Sequence, residues 1–536
     1  MKKDYTYLSK FKRHQNMSNS MKVLLGLFWI FAIILPICKM LSYMSNVDVV
    51  KIITGERFFE AFKNSIIVSL VATAFSVSLA GVLAWCTSRT AIRFTGIFAV
   101  LFTVPMLIPS ISHGMGLIIL FGSNGLFTSL LNIKFNIYGF WGIVLGSIMY
   151  SLPVAYLMIL DILKFEDSTP YEAADVLGLT KVDKFKIITF PYMRKPMISV
   201  IFATFTMIIT DYGVPLMIGG KYTTLPVMMY QDVIGMLDFG KGSVIGLVLL
   251  IPALIACLLD IMNRDKGNMA YVIKPFIIRK QKLKDLFAYF ICIITSICLI
   301  LPIVTFSCVA FVKKYPINMD FSLENVLQSM RMNAGMYLLN SLIIAVCVSL
   351  MGTALAILCA YFTARMPSKY SRVLHLLSIT SLAIPGLVLG LSYVVFFKKS
   401  FIYGTFAMLI LVNTMHFFSS PYLMIYNTFC KLNINLEDVG KTLGIRRLYI
   451  LKDVLIPMSK ETIIEMLSYF FVNSMMTISA VSFLATASNK PIALMITQFE
   501  GQMQLECAAF VSFIILLVNM CVKCMVYMIK RSIRNA

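Results

Sequence analysis

Long apolar runs alternate with short polar segments along the whole chain, and this alternation predicts a helical membrane protein. Each run is close to 20 residues, and a helix of that length crosses ~30 Å of hydrocarbon at about 1.5 Å per residue. The candidate spans are 22–45, 61–87, 96–121, 138–163, 196–218, 242–262, 285–312, 337–363, 371–397, 402–429, 461–487 and 507–530. We therefore expect an all-α integral membrane protein with about twelve transmembrane helices.

Composition agrees with a chain that is surrounded by a lipid bilayer. Of its 536 residues, 59% are hydrophobic and 13% are charged, whereas a soluble domain carries roughly 25% charged residues. The net charge of +22 would suggest a nucleic-acid partner in a soluble protein. Here the basic residues lie between apolar spans, where membrane orientation explains them. We expect the bilayer as the environment and no nucleic acid as a partner.

Lysine and arginine mark one side of the predicted bundle. They cluster before the first span, after the second, between the sixth and seventh, after the eighth and at the end of the chain. With twelve spans all these clusters lie on one side, so both termini are predicted to be cytoplasmic in a multi-pass plasma-membrane protein. The predicted organisation is a cytoplasmic segment 1–21, a first half 22–262, a cytoplasmic linker 263–284 and a second half 285–536.

The two halves repeat each other. The pair Asn64-Ser65 recurs as Asn340-Ser341, and the stretch 84–89, AWCTSR, recurs as AYFTAR at 360–365, both 276 positions later. Pro109 and Pro385 are also 276 positions apart. A tandem repeat of six spans each predicts a pseudo-two-fold axis along the membrane normal and a pathway between the halves.

Two polar segments interrupt the apolar pattern in matching register. They are 172–191, EAADVLGLTKVDKFKIITFP, and 438–457, DVGKTLGIRRLYILKDVLIP; their Gly178 and Gly444 are 266 positions apart, as are Pro191 and Pro457. Pro170, just before the first segment, and Glu172 favour a helix start, and Gly178 favours a left-handed helix stop. The segments lie in loops 164–195 and 430–460, so movement of either helix would move the adjoining spans.

The first segment resembles the cytoplasmic loop signature E-A-A, three residues, G, nine residues, I-x-L-P of permease subunits of binding-protein-dependent type I ABC importers. The matching positions are Glu172, Ala173, Ala174, Gly178 and Pro191, and in the second copy Asp438, Gly440, Gly444 and Pro457 keep the frame. Asp438-Val439-Gly440 replaces Glu-Ala-Ala there, so we expect the first loop to couple more strongly.

The resemblance implies two fused six-helix permease halves, each with a coupling helix that docks on one protomer of an ABC ATPase homodimer. It also implies an extracytoplasmic substrate-binding protein. The chain contains no GxxxxGK[ST] sequence. We therefore expect it to be no enzyme and to hold no cofactor, with ATP and magnesium bound by the partner ATPase.

The substrate is expected from two shorter resemblances. Residues 211–220, DYGVPLMIGG, are similar to iron and phosphonate permeases, and residues 476–484, MTISAVSFL, are similar to the phosphonate type. A phosphonate such as 2-aminoethylphosphonate is therefore the expected substrate, with ferric iron or thiamine as alternatives.

Four polar residues are candidates for the substrate pathway. Asp211 and Tyr212 lie at the outer end of the fifth span, and Asn473 and Ser474 lie in the eleventh. Polar groups inside a membrane suggest function. Asp211 can instead cap a helix end, and the other pair can instead serve helix packing. No metal site is expected, because the histidines and methionines show no ligand spacing. A twelve-helix secondary transporter is the alternative class, although it gives no reason for two motif copies; a channel or scaffold is less favoured.

Overall fold

A computed structural model describes residues 19–131, 136–263, 274, 276, 278, 280–433 and 435–535. The helices of the first half are α1 (Asn19–Asn46), α2 (Val49–Ile53), α3 (Glu56–Arg89), α4 (Thr95–Thr103), α5 (Ser110–Phe121), α6 (Leu126–Leu131), α7 (Phe140–Lys164), α8 (Thr169–Val176), α9 (Lys181–Ile209), α10 (Gly213–Ile218), α11 (Leu225–Tyr230) and α12 (Phe239–Asn263). The predicted linker 263–284 falls mostly outside the described residues.

The second half repeats this order. Its helices are α13 (Lys282–Val309), α14 (Glu324–Arg331), α15 (Ala334–Ala364), α16 (Lys369–Ile379), α17 (Gly386–Phe397), α18 (Phe406–Phe417), α19 (Ser419–Lys431), α20 (Leu436–Thr442), α21 (Arg447–Ile450), α22 (Ile456–Met458), α23 (Lys460–Met476), α24 (Ala493–Gly501) and α25 (Leu505–Asn535). A two-stranded antiparallel hairpin, β1 (Val312–Lys314) and β2 (Asn318–Phe321), follows α13.

Within the described residues, nine helices are long and apolar enough to cross a membrane, and up to eleven if each of two bent pairs forms one span. Helix α23, with 17 residues, lies in the remaining predicted span. The all-α membrane fold predicted from the sequence is thus confirmed.

Several predicted spans are not straight helices. The predicted span 96–121 is interrupted between α4 and α5, and 371–397 bends by 108° before α17. Each break has a proline at its end, Pro109 or Pro385, because proline lacks the N–H of a continuing helix and favours a helix start. The predicted end of the span 461–487 is also wrong, because α23 stops at Met476 and irregular chain follows.

The first helix of each half packs against the other half. On α1, the backbone carbonyl of Ala32 accepts a hydrogen bond from the Tyr393 hydroxyl (2.7 Å), and the Trp29 ring lies 4.4 Å from Phe418. Helix α13 of the second half correspondingly packs against α3, α4 and α5, where Asp285 Oδ1 accepts from Ala91 N at 3.0 Å. One core of buried residues therefore runs through both halves.

The repeated Asn-Ser pair has the same structural role in both halves. Ser65 Oγ accepts from the backbone N of Leu225 (2.7 Å), and Ser341 Oγ accepts from Ile492 N (2.8 Å). The preceding asparagines donate to carbonyl oxygens of the same loops, Asn64 to Thr223 at 3.0 Å. Each pair satisfies backbone groups where the chain returns toward the last span, so the sequence repeat is also a structural repeat.

Candidate functional site: two helix–turn elements and the contact between the halves

The first motif segment folds as helix, turn and helix. Pro170 lies in the first turn of α8, and α8 ends in a left-handed residue, Gly178, with φ +69°. The amide of Gly178 donates to Asp175 O (3.1 Å), and that of Leu179 donates to Ala174 O (3.0 Å). This pair of bonds is the Schellman motif, which ends α8 and separates it from α9.

The second segment repeats this geometry with a different packing residue. Gly444 has φ +71°, and the amide of Ile445 donates to Gly440 O at 2.8 Å. Gly440 is buried, and a Cβ at this position would overlap the end of the Ile450 side chain. Glycine thus takes the position of Ala174 in the second copy because the Ile450 side chain leaves no space for a Cβ there.

The other motif residues are divided between exposed and packed faces. Ala173 and Gly178 are exposed and Ala174 is buried, while Glu172 forms an ion pair with Lys274 (2.7 Å). The remaining predicted positions, Pro191, Asp438, Gly444 and Pro457, are all exposed.

Both elements expose apolar side chains beside these residues. Val176 is 89% exposed and is followed by Leu177, and in the second copy Leu443 and Leu448 are exposed, Leu448 by 74%. Exposed apolar side chains near the end of a helix are unfavourable in water unless another surface covers them. Each element follows an even-numbered span, so the alternation of spans places both on the same side of the bundle. We call this side the motif side.

An arginine at the end of α3 holds the first element. Arg89 Nη2 donates to Glu166 Oε2 (2.7 Å) and to Leu163 O (2.8 Å), and Glu166 Oε1 accepts from the Tyr171 hydroxyl (2.5 Å). The guanidinium also lies 3.7 Å from the centre of the Phe276 ring. Burial and the bond to Glu166 raise the pKa of Tyr171, so the phenol remains a donor.

An equivalent arginine at the end of the eighth predicted span holds the second element. Arg365 Nε donates to Glu437 Oε1 at 2.6 Å, a second donor reaches Glu437 Oε2, and the side chains are only 3% and 10% exposed. Arg365 also donates to the carbonyls of Leu432 (2.9 Å) and Asn433 (2.7 Å). The two parallel bonds from the guanidinium to the carboxylate hold α20, which carries Glu437, at the end of α15.

Two interruptions of helical structure meet where the halves touch. The Tyr212 hydroxyl and Ser482 Oγ are 2.7 Å apart, which links the break after α9 to the irregular chain after α23. Asp211 Oδ2 accepts from the backbone N of Val214 at 3.0 Å, so its carboxylate caps the short helix α10. This bond is the helix-end contact that the sequence analysis gave as the alternative for Asp211, and contact with a substrate stays a prediction.

The predicted pathway residues of the eleventh span lie on α23 close to its end. Asn473 is half-buried and donates to Tyr469 O at 2.8 Å, one turn earlier. Ser474 is buried, and within the part of the chain that the structure describes its Oγ has no hydrogen-bond partner. The described residues likewise contain no group of three histidine, cysteine, aspartate or glutamate side chains that could hold a metal ion.

A protein-family profile matches the chain twice, once in each half. It is that of the binding-protein-dependent transport system inner membrane component, and it covers residues 76–264 and 352–535. The chain belongs to this family. It is thus a membrane permease with two fused family domains, as the motif and the repeat predicted.

Curated relatives agree with this assignment. The permease is 26% identical over 471 residues to a putative ferric transport system permease protein of Haemophilus influenzae, covering 84% of this chain and 73% of the relative. It is 24% identical to a ferric transport system permease protein of Actinobacillus pleuropneumoniae, covering 82% of this chain and 66% of that protein. A thiamine transport system permease protein of Brucella abortus is 26% identical over 202 residues, 36% of each chain.

Sequence reasoning missed the two arginine–glutamate pairs of the permease. The signal was present, because Arg89 and Arg365 end the AWCTSR and AYFTAR repeat. The repeat and the membrane orientation account for both arginines without indicating an ion-pair partner for either. Their partners, Glu166 and Glu437, do not occupy equivalent positions in the repeat, so the offset could not reveal the pairing.

Proposed function

We propose that the permease is the membrane subunit of an ATP-driven ABC importer and that the motif side faces the cytoplasm. The observation that carries this proposal is the pair of helix–turn elements in matching register. Both are held by buried ion pairs, and both expose apolar side chains next to the motif residues. Such rigid, partly apolar projections are suited to grooves on a partner protein.

In this proposal each element docks on one protomer of a separate ATPase homodimer, which binds ATP and magnesium. Closure of the dimer would displace α8 and α20. Since α8 precedes α9 and α20 precedes α21–α23, the displacement would move the two helix breaks that meet near Tyr212 and Ser482. An extracytoplasmic binding protein would deliver the substrate from the opposite side. The permease itself would carry out no covalent chemistry.

We further propose ferric iron as the substrate. Two relatives described as ferric transport permeases cover 84% and 82% of this chain, whereas the thiamine relative covers 36%. The comparisons thus support the ferric alternative better than the phosphonate expected from residues 476–484. Hard oxygen ligands suit this cation, but the binding protein is expected to make the selection.

The experiment is reconstitution of the permease with its ATPase in nanodiscs, followed by addition of its purified binding protein. We expect the ATPase to co-purify with the permease and the ferric-loaded binding protein to stimulate hydrolysis. Stimulation by the same binding protein loaded with 2-aminoethylphosphonate or thiamine, but not with ferric iron, would overturn the ferric assignment. Failure of any ATPase to bind the permease would overturn the importer assignment.

A further inference from the structure

Two lysines, one on the first helix of each half, bind the opposite half next to the arginines described above. Lys22 Nζ on α1 donates to Met366 O (2.7 Å) and Ser368 Oγ (3.0 Å), directly after Arg365. Lys284 Nζ on α13 donates to the backbone carbonyl of Arg89 at 2.8 Å. The contacts are thus reciprocal between the halves.

These bonds complete two continuous chains of contacts. One runs from α1 through Lys22 to the segment after α15, and from Arg365 through Glu437 into α20. The other runs from α13 through Lys284 to Arg89, and from there through Glu166 and Tyr171 into α8. Each chain starts on a helix of one half and ends on the motif helix of the other.

The groups in these chains are suited to transmit displacement. Lys22 is only 3% exposed, and the Arg365–Glu437 pair is similarly buried, so water does not readily replace their bonds. Arginine presents its donors in a planar fork, and separation of a buried pair leaves an uncompensated charge. A motif helix therefore cannot shift far without taking the adjoining segment, and the lysine bound to it, along.

We propose that Arg89, Arg365, Lys22 and Lys284 are positioning residues that tie each motif helix to the first helix of the opposite half. Displacement of either motif helix is passed to the second span of its own half and to the first helix of the opposite half. This inference rests on the proposed function, in which an ATPase displaces the motif helices. It goes beyond that function by naming the residues that carry the displacement of each motif helix to the opposite half.

The test uses the full permease with its ATPase in proteoliposomes, with the ferric-loaded binding protein outside. The variants are Lys22→Met, Lys284→Met and Arg365→Lys, the last of which keeps the charge and removes the fork. Matched controls are Lys369→Met and Lys282→Met, because these lysines are exposed and lie beside the same contacts. The readouts are the amount of bound ATPase, the hydrolysis rate and the number of iron ions imported per ATP hydrolysed.

We expect the test variants to bind normal amounts of ATPase and to hydrolyse ATP, while iron imported per ATP falls about five-fold or more. The controls should match the wild type. In a double-mutant cycle, Lys22→Met and Arg365→Lys should be non-additive because they share one chain of contacts.

An unchanged ratio of import to hydrolysis in both lysine variants would overturn the inference, and so would equal loss in the controls. Loss of bound ATPase in proportion to loss of import would also overturn it, because that result indicates docking alone. The lysine variants keep the test valid if Arg365→Lys does not fold. A wild-type complex without ATP-driven import would instead refute the proposed function.

Discussion

Replacement of Gly178 by valine should separate ATP hydrolysis from transport. A Cβ at this position would meet no atom within 4 Å, so the side chain has space in the free permease. The cost comes from the backbone, because φ is +69° and a non-glycine residue in this region is disfavoured by roughly 1–2 kcal/mol. A difference of that size changes the population of the native turn by about 5–30-fold.

Asparagine is the matched control for this substitution, since it adds a side chain of similar size but tolerates the left-handed conformation. We expect Gly178→Val to insert in the membrane and to bind ATPase, with less substrate imported per ATP, and Gly178→Asn to retain most of the wild-type ratio. The assay is paired measurement of uptake and hydrolysis in proteoliposomes. Unchanged coupling in the valine variant, or equal loss in both variants, would refute the argument from backbone conformation.

Three other sets of substitutions test separate parts of the structure. Gly440→Ala should lower the amount of co-purified ATPase, because overpacking against Ile450 costs about 1–3 kcal/mol, and Ile450→Val should restore it; absence of rescue would contradict this contact. Asp211→Ala should lower thermal stability through loss of a cap worth about 0.5–2 kcal/mol, while Asp211→Asn retains stability and uptake; lost uptake in a stable asparagine variant would indicate substrate contact instead. Tyr212→Phe and Ser482→Ala should each destabilise the solubilised permease by about 0.5–1.5 kcal/mol. The double variant should be no worse than Ser482→Ala alone, which also removes the bond from Ser482 Oγ to Ile478 O; additive losses in thermal unfolding would exclude a shared bond.

The sequence predicted the features that depend on local pattern. Span number, the two motif elements and the left-handed conformation of Gly178 follow from hydrophobic length, repeat register and turn chemistry. The positive φ of Gly178 and Gly444 agrees with that reasoning. The roles of the motif residues in ATPase coupling remain predictions.

The breaks within spans were harder to predict because apolar composition continues through them. The end of α23 at Met476 is followed by TISAVSFL, which is as apolar as a helix that crosses a membrane. Proline can be accommodated inside membrane helices, so Pro109 did not by itself identify a break. Pro153 shows the other outcome, because it lies inside the continuous helix α7.

The contacts between distant segments could not be predicted from one sequence. Consecutive helices usually pack together, yet α1 packs against the second half. Glu437 and Arg365 are 72 positions apart, and Lys22 and Met366 are 344 positions apart. Such pairs depend on the tertiary arrangement of the halves, and charge counts along the chain contain no information about them.

The most direct measurement of the central claim is uptake of radioactive iron by proteoliposomes that contain the permease and its ATPase. ATP is sealed inside, the ferric-loaded binding protein is outside, and ion gradients are collapsed with ionophores. We predict that uptake requires ATP, ATPase and binding protein together and continues without any ion gradient. Uptake by the permease alone, driven by an ion gradient in the absence of ATP, would contradict the account.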